Sequence, residues 1–493
     1  MSNSVKTFDF SGIKRISIPL KKGDLTVENI MAFLPRIKQE HDKNVTKIEY
    51  FQDIYEGRQD IVSKTRPYAD DADNNNTIVE NHAYSQVGFK VSSVVGEPIQ
   101  YTQKESLKTD DLTYLISYNS DIYKPETDNQ TITNVYVCGV GYQLTLPRYD
   151  DYDITHESPY NIISYDPKLA CVVYSSYLNE GELFGVIFNS YLDKDGKQIH
   201  EAKVYTKNYF YTFNITSLND IILIGKEYNS LNEICLVEFA RNKDRIGLIE
   251  LCYYLYHAIN LVSSTSMDNL IDVANCLLVF INQDVTAQTL QDAKAMGALV
   301  IGSDNKETPA DVKQLVLQLQ HEDVQVFYDR LMKACYGIAS VPQSSANVTS
   351  GGDTGQARLL GQGWSKHYND IKNDCTYIQK GLRKTLKLIL KVCNNLSQCE
   401  INELYASDID IKFNINMTDN MIVKTQSLQT LLGLGFGTET SLNIVQLVND
   451  SHAVAIERDS KVAENEAKAL DIQQQQIDDQ TDQANTNTDI IGE

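Results

Sequence analysis

Between Thr354 and Asn394 apolar residues recur every three or four positions: Ile371, Cys375, Ile378, Leu382, Leu386, Ile389 and Cys393. A helix of about 40 residues would run roughly 60 Å, far longer than a common domain helix. It carries one apolar stripe, so it needs neighbours along its whole length. Identical copies in a ring would supply them. The helix is entered through VPQSSANVTSGGDTGQARLLGQ, from Val341 to Gln362, a stretch dense in Gly, Ser and Thr.

Glycine-rich loops that open onto helices often hold phosphates, so the nucleotide reading is tested first. A P-loop needs GxxxxGK[ST], because its Lys reaches the phosphates and its hydroxyl holds the magnesium ion. GGDTGQAR has no Lys there, follows a helical pattern instead of a strand, and the chain contains no GK[ST]. GLGFGT, Gly433 to Thr438, lacks the last Gly of a dinucleotide fingerprint and reads as a joint between two short helices. Asp408 and Asp410 alternate with Ile409 and Ile411, which makes them the solvated face of a strand and not an acid–base pair. GVGYQL, from Gly139, offers no GxSxG elbow. The eight histidines form no HxxxH or HExxH. A calcium loop counted from Asp71 would place Asn76 and His82 where Gly and Glu are required. No catalytic set, cofactor or metal site is expected.

The chain has 66 acidic against 44 basic residues, a net charge of −22 over 493 residues. A tight nucleic-acid binder presents a basic face, so grip on DNA or RNA is not expected. Loose handling of DNA is compatible, because like charge prevents sticking. The nine cysteines form no CxxC and sit mostly in apolar runs, as buried free thiols do. The first residues lack an apolar core of signal length and no 18 apolar residues run together, so an intracellular site of synthesis and no membrane are expected.

The remaining text divides by period. Residues 1–44 read as an arm with one short helix near Val27–Lys38. A helical pattern runs from Val45 to Tyr101, broken by a loop at RPYADDADNNNT. From Thr131 to Phe239 Tyr, Val, Ile and Thr dominate, as in antiparallel sheet. There ELFGVIFNSYL and EAKVYTKNYFYTFNI read as two strands around a turn at Asp195–Gly196. Helix returns at Gly247 with Leu248, Leu251, Leu255, Ile259 and Val262. An αβ insert follows, with CLLVFI and LVIG as strands around a helix, too few for a stable sheet unless neighbouring copies complete it. A second helix after Pro309 carries Val312, Leu315, Val316, Leu319, Phe327 and Leu331. DIDIKFNIN alternates as a strand, two short helices flank GLGFGT, and the acidic, Gln-rich end from 471 reads as disordered.

Three stretches resemble phage portal proteins, in particular those of tailed siphophages infecting Gram-positive bacteria. The first is IEYFQDIYEGRQDIVSKTR followed by NNNTIVENHAYSQVGFKVSSVVGEPIQY, whose matching positions are Tyr55, Gly57, Ile61, Asn75, Asn76, Asn81, Gly96, Pro98, Ile99 and Tyr101. The second is LYHAIN, with His257 where the family usually has Asp. The third is YGIASVPQSSANVTSGGDTGQAR. The resemblance spans about residues 45–450. VYVCGVGYQLTLP departs from the more acidic stretch common in the family, and the arm and the tail match nothing in it.

The resemblance implies an α+β, portal-type fold: a mostly helical stem and crown, an antiparallel β wing and a small αβ clip. Mapped on this chain, 45–246 is wing, 247–273 and 310–337 are stem helices, and 274–309 is clip. Residues 338–353 are the tunnel loop, 354–394 the long wing helix, 395–419 a wing strand region, and 420–470 crown helices. It also implies a ring of about twelve copies at one capsid vertex, a passive conduit for double-stranded DNA in packaging and ejection. Its partners would be the terminase large subunit, the head–tail adaptor and the major capsid and scaffold proteins. Its location would be the virion, and the host cytoplasm during assembly. The DNA-facing residues would be Gln343, Ser344, Ser345, Asn347, Thr349 and Gly351, small polar groups with no cation. Two other readings stay open from sequence: an adaptor or scaffold of a virion, and an enzyme whose site does not show.

Overall fold

Helix α1, Val27–Tyr55, joins two separate cores. Thr26 caps it by accepting from the Asn29 N–H at 3.3 Å, and it runs for 29 residues without a break at the boundary expected at 44. Ile30, Leu34 and Ile37 face one core; Ile48, Phe51 and Ile54 face the other. Polar residues sit buried where the helix passes between them. His41 meets the Lys168 carbonyl at 2.7 Å, Asn44 exchanges bonds with the backbone of Lys14, and Lys47 pairs with Glu250 at 2.5 Å. This polar seam falls at the boundary the sequence suggests between arm and wing, and in the fold it is a hydrogen-bonded joint. The arm expected over 1–44 is therefore corrected: its described part holds strand β1, Ile16–Ile18, and half of α1.

The computed structural model describes residues 8–64, 75–103, 109–148, 152–153, 157–217, 220–274, 277–281, 288, 311–315, 321–343, 363–396, 399–401, 404–415, 421–445, 454–465 and 467–468. After α1 come α2 (His82–Val95), β2 (Gln100–Gln103), α3 (Thr109–Asp121) and α4 (Lys124–Cys138). Strands β3 to β10 follow: Val140–Pro147, Tyr160–Tyr165, Ala170–Ser175, Glu182–Leu192, Gln198–Tyr205, Tyr209–Ser217, Asp220–Tyr228 and Leu236–Ala240. Then come α5 (Leu248–Ala274), β11 (Leu277–Ile281), β12 (Asp311–Leu315), α6 (His321–Ala339) and α7 (Trp364–Asn395). The described elements close with β13 (Ile409–Lys412), α8 (Met421–Gly433) and α9 (Thr438–Val445). The fold is α+β, with a six-stranded sheet β1-β5-β6-β7-β8-β9 and a three-stranded sheet β10-β3-β4 as its larger sheets. Among the described residues every strand pair is antiparallel except β1 with β5.

Three sequence expectations change. Thr131–Cys138, rich in β-branched residues, is helix: Thr131, Ile132, Val135 and Tyr136 are buried on α4, and packing overrides propensity. The helix stops at Gly139 with φ +88°, where a Cβ would lie 2.1 Å from the Arg245 carbonyl oxygen. EAKVYTKNYFYTFNI is two strands, because a turn without Gly forms at Thr206. The Thr206 hydroxyl bonds the Tyr209 carbonyl at 2.6 Å, and Asn229 donates to the carbonyls of Thr206 and Lys207 at 3.0 Å. The second long helix does not start at Pro309: Asp311–Leu315, with Val312 and Leu315, pairs antiparallel with Leu277–Ile281, and helix begins at His321. A short apolar run fits both periods, and here a backbone partner decides it. Apart from residue 288, the helix expected in the insert and its LVIG strand lie outside the described residues, as do 354–362 of the long helix and 471–493.

The long helix itself forms as expected from Trp364, over 32 residues, and Ile371, Cys375, Ile378, Leu382, Leu386, Ile389 and Cys393 are all buried. It packs on β10 because Gly381 leaves room for the Phe239 ring; a Cβ there would be 2.5 Å from that ring. All eight described cysteines are free and buried. Ala at Gly381 gains about 1 kcal/mol of helix propensity but overpacks the contact by about 2 kcal/mol. Gly381→Ala should therefore lower the thermal midpoint. Gly88→Ala in α2, where nothing lies within 4 Å, should raise it; circular dichroism melts of the pair check both signs.

Candidate functional site

Helices α5 and α6 pack together, and one polar stripe decides what else they hold. Asn260, Ser264 and Asp268 recur every four residues on α5 and are buried. Each accepts a backbone N–H from an extended segment lying along the helix. Glu80 N–H bonds Asn260 Oδ1 at 2.8 Å, Ile78 N–H bonds Ser264 Oγ at 2.9 Å, and Asn76 N–H bonds Asp268 Oδ1 at 2.8 Å. Two residues of extended chain advance about 6.6 Å and four residues of helix about 6.0 Å, so the two repeats stay in step for three bonds. Lys64 Nζ closes the row on Asp268 Oδ2 at 2.7 Å. Burial works against the charge on Asp268, but Lys64 and the two Asn76 donors hold its carboxyl below the usual range.

Glu80 then ties both helices to this segment. Its carboxylate accepts from Ser263 on α5, from the Tyr328 hydroxyl on α6 at 2.6 Å and from His82 at 3.0 Å. Burial would raise its pKa, and these bonds hold it below the ordinary value. Asn81 caps α2 by accepting from Tyr84 N–H at 3.2 Å and donates to the Tyr55 carbonyl at 2.9 Å. Deeper in the pair, Tyr256 donates to Gln86 at 2.7 Å, and Gln86 donates to the Cys335 sulfur at 3.3 Å.

The two ends of the polar loop are fixed where α6 stops and α7 starts. Ser340 has φ +52° and Gly363 φ +83°, so the chain turns sharply at both points. Val341 N–H bonds the Tyr336 carbonyl at 3.0 Å. Lys366 Nζ reaches the Gly337 carbonyl at 2.5 Å, and His367 Nδ1 lies 2.9 Å from the Ser340 carbonyl. Burial, with Lys90 nearby, keeps the His367 imidazole below its ordinary pKa. Behind this base lie two buried cations and two carboxylates. Lys90 Nζ meets Asp370 at 2.7 Å, Arg241 Nε meets Asp374 at 3.3 Å, and the Tyr136 hydroxyl donates to Asp374 at 3.2 Å. Asp370 and Asp374 are one turn apart on α7, so these pairs fix the rotation of the helix about its axis.

Of the residues expected to face DNA, Gln343 is half-buried just beyond the end of α6. Ser344, Ser345, Asn347, Thr349 and Gly351 lie outside the described residues. Asp408 precedes β13 and Asp410 lies within it, 3.8 Å from Arg383, so the two share no acid–base arrangement. Sequence reasoning did not single out Asn260, Ser264, Asp268 or Glu80 as a unit. The four-residue spacing of Asn260, Ser264 and Asp268 on α5 was the available signal.

The chain belongs to a family of viral structural proteins. Residues 34–484 match the model of the phage portal protein family, SPP1 Gp6-like. A curated relative, the portal protein of Bacillus phage SPP1, is 20% identical over 333 residues, covering 62% of this chain and 62% of that protein. The chain thus spans under two thirds of its relative's length. Similar solved structures include the neck of a native gene transfer agent particle computed with C12 symmetry, at TM-score 0.41 and 12% identity. It covers 74% of this chain and 89% of the other. The virion of a native gene transfer agent particle gives TM-score 0.42 and 13% identity over 78% and 97%.

Removing Asp268 leaves a half-buried Lys64 ammonium and the Asn76 N–H without an acceptor, a loss of about 3 kcal/mol. Asp268→Ala should therefore shift the urea midpoint down by that amount at unchanged slope. The depressed carboxyls of Asp268 and Glu80 also set an acid limit. Their contribution is complete above their ordinary values of 3.8 and 4.5. It falls as pH drops through the lower folded values, because the unfolded chain binds those protons first. In the Asp268→Ala and Glu80→Gln double variant, stability should fall less steeply between pH 5 and pH 3 than in the unchanged protein, measured by urea titration at each pH (window set by about one unit either side of the ordinary values).

Proposed function

We propose that this portal-family protein assembles as a ring of about twelve copies at one capsid vertex and acts as a passive conduit for double-stranded DNA. The family match over 34–484 carries the reading. In this reading α5 and α6 are the stem, the region between them is the clip, and α8 and α9 belong to the crown. The clip docks the terminase large subunit during packaging and the head–tail adaptor afterwards, and the wing contacts major capsid and scaffold proteins. The ring forms in the host cytoplasm and ends in the virion. Strands β11 and β12 are a two-stranded ribbon within one copy, and such ribbons gain stability when neighbouring copies extend them.

The polar loop from Gln343 to Gly352 carries no Lys, Arg, Asp or Glu. A surface that DNA slides past must touch phosphates without holding them, since each retained cation adds a salt-dependent grip. The described ends support this role: Lys366 and His367 at the start of α7 bond the Gly337 and Ser340 carbonyls at the end of α6, which holds the two ends side by side. Energy for transport comes from elsewhere, because the chain has no P-loop to hold a nucleotide.

Negative-stain microscopy of the purified chain should show rings with a central hole, and a monomer would overturn the reading. Changing Ser344→Arg together with Asn347→Arg adds roughly two dozen cations to a twelvefold channel, and even a few phosphate contacts weaken strongly with salt. Rings and empty capsids should form normally, packaging should stall with partly filled heads, and added salt in a packaging extract should relieve the stall. Unchanged packaging yields would place the loop away from DNA. Rings should also show no ATP hydrolysis that a point change in this chain removes.

A further inference from the structure

Cys252, near the start of α5, and Cys335, near the end of α6, meet between the two helices although 83 positions separate them in the chain. Both are buried and both are free thiols. The Cys252 thiol lies 3.8 Å from the Cys335 carbonyl oxygen and hydrogen-bonds the Cys335 sulfur. Two thiols in contact across a helix pair need only a small side-chain movement to reach bonding distance.

The two sulfurs are not equivalent. Gln86 Nε2 donates to the Cys335 sulfur at 3.3 Å, and the Tyr256 hydroxyl, one turn from Cys252 on α5, fixes Gln86 by donating to its Oε1 at 2.7 Å. Cys335 thus accepts from Cys252 and from Gln86, and these two donors hold its thiol below the ordinary range although burial works the other way. The bond to Cys335, together with burial, pushes the Cys252 thiol up. Cys138, Cys171, Cys235 and Cys375 differ, since burial is the main influence on each and pushes it up. A sulfur that accepts two hydrogen bonds is the better thiolate nucleophile, and a thiol touching it is placed to resolve the product of its first reaction.

We propose that Cys252 and Cys335 form an oxidation site, at which a hydroperoxide closes a disulfide that staples the start of α5 to the end of α6, just before the turn at Ser340. With hydrogen peroxide, the Cys335 sulfur attacks one oxygen. An S–O bond forms, the O–O bond breaks, and the departing oxygen takes the Cys335 proton and leaves as water. The Cys252 sulfur then attacks the Cys335 sulfenic acid. The S–S bond forms, the S–O bond breaks, and the hydroxyl takes the Cys252 proton and leaves as a second water. The two thiols lose two electrons and the peroxide gains them. Both sulfurs are screened from solvent, so the site selects an oxidant near the size of water over a bulky one. The proposal does not depend on the ring reading.

The test uses full-length protein, freed of reductant and exposed to hydrogen peroxide while its circular dichroism stays native. A disulfide across 83 positions closes a large loop, so the oxidised chain should run faster on a denaturing gel without reductant and return to its first position with dithiothreitol. Peptide mass spectrometry should find the Cys252 and Cys335 peptides joined. Cys393 and Cys399 also hydrogen-bond each other, but a loop that short leaves the mobility unchanged. Cys252→Ser and Cys335→Ser should each remove the fast band, and Cys399→Ser should keep it. Closing a long loop should raise the thermal midpoint of the oxidised protein by about 5 °C. Peptides that stay unjoined overturn the proposal, whether both thiols remain reduced, Cys335 carries a sulfinic acid, or either sulfur pairs elsewhere. A joined peptide whose midpoint is not raised overturns the staple. The joined peptide is read in the unchanged protein, so the outcome stands even where a serine variant fails to fold.

Discussion

The row Asn260, Ser264 and Asp268 on α5 is the constraint on which the arrangement around the helix pair depends. An extended segment laid on a helix has no ladder partner for its N–H groups, and burying them unpaired would cost several kcal/mol. Here the helix supplies acceptors at the one spacing that keeps pace with extended chain. The segment 76–80 is thereby fixed, and Glu80 is delivered between α5 and α6. Asn81 then starts α2 at the right place, and α2 brings Lys90 and Ser93 to the start of the long helix. The described base of the polar loop is set by this chain of placements.

A second joint works in the same way at the other end of α5. Glu250 accepts from Lys47 at 2.5 Å and from Gly12 N–H at 3.1 Å. Both groups of the ion pair are nearly inaccessible, so losing one partner would strand a charge in low dielectric. The pair pins the middle of α1, and through α1 the core behind the six-stranded sheet. Polar contacts thus specify how the apolar layers meet, while the layers themselves supply the bulk of the burial.

What the sequence disclosed follows from this division. Period alone revealed α5 and the described part of the long helix, because each buries a continuous stripe along its length. It also revealed the hairpin of β6 and β7, where Asp195 and Gly196 mark the turn. Period failed where tertiary partners decide. The buried row His41, Asn44 and Lys47 interrupts the apolar pattern of α1, and nothing local says that Lys168, Lys14 and Glu250 will meet it. Thr131–Cys138 has strand composition and helix neighbours. Asp311–Leu315 fits either period, and β11 settles it from some thirty residues away. The matching positions Asn76 and Asn81 were legible as a pattern before their role was: the first bonds Asp268 and the second caps α2.

The charge of the chain and the anchoring of the loop bear on one requirement. A conduit for a polyanion must hold its lining in place while keeping the lining's grip weak, and cations would serve the first aim at the expense of the second. Among the described residues, three cations near the ends of the loop are bound inside the fold. Lys90 and Arg241 are buried against Asp370 and Asp374, and Lys366 is turned back onto the Gly337 carbonyl. Rigidity at the loop base is therefore obtained from positive charge that faces protein. The residues from Gln343 to Gly352 carry no charged side chain, so in the proposed role their bonds to phosphate would be neutral and would exchange readily with water. In the proposed conduit, separating the two tasks in this way would let the wall be firm and the contact slippery, in keeping with a chain that is strongly acidic overall.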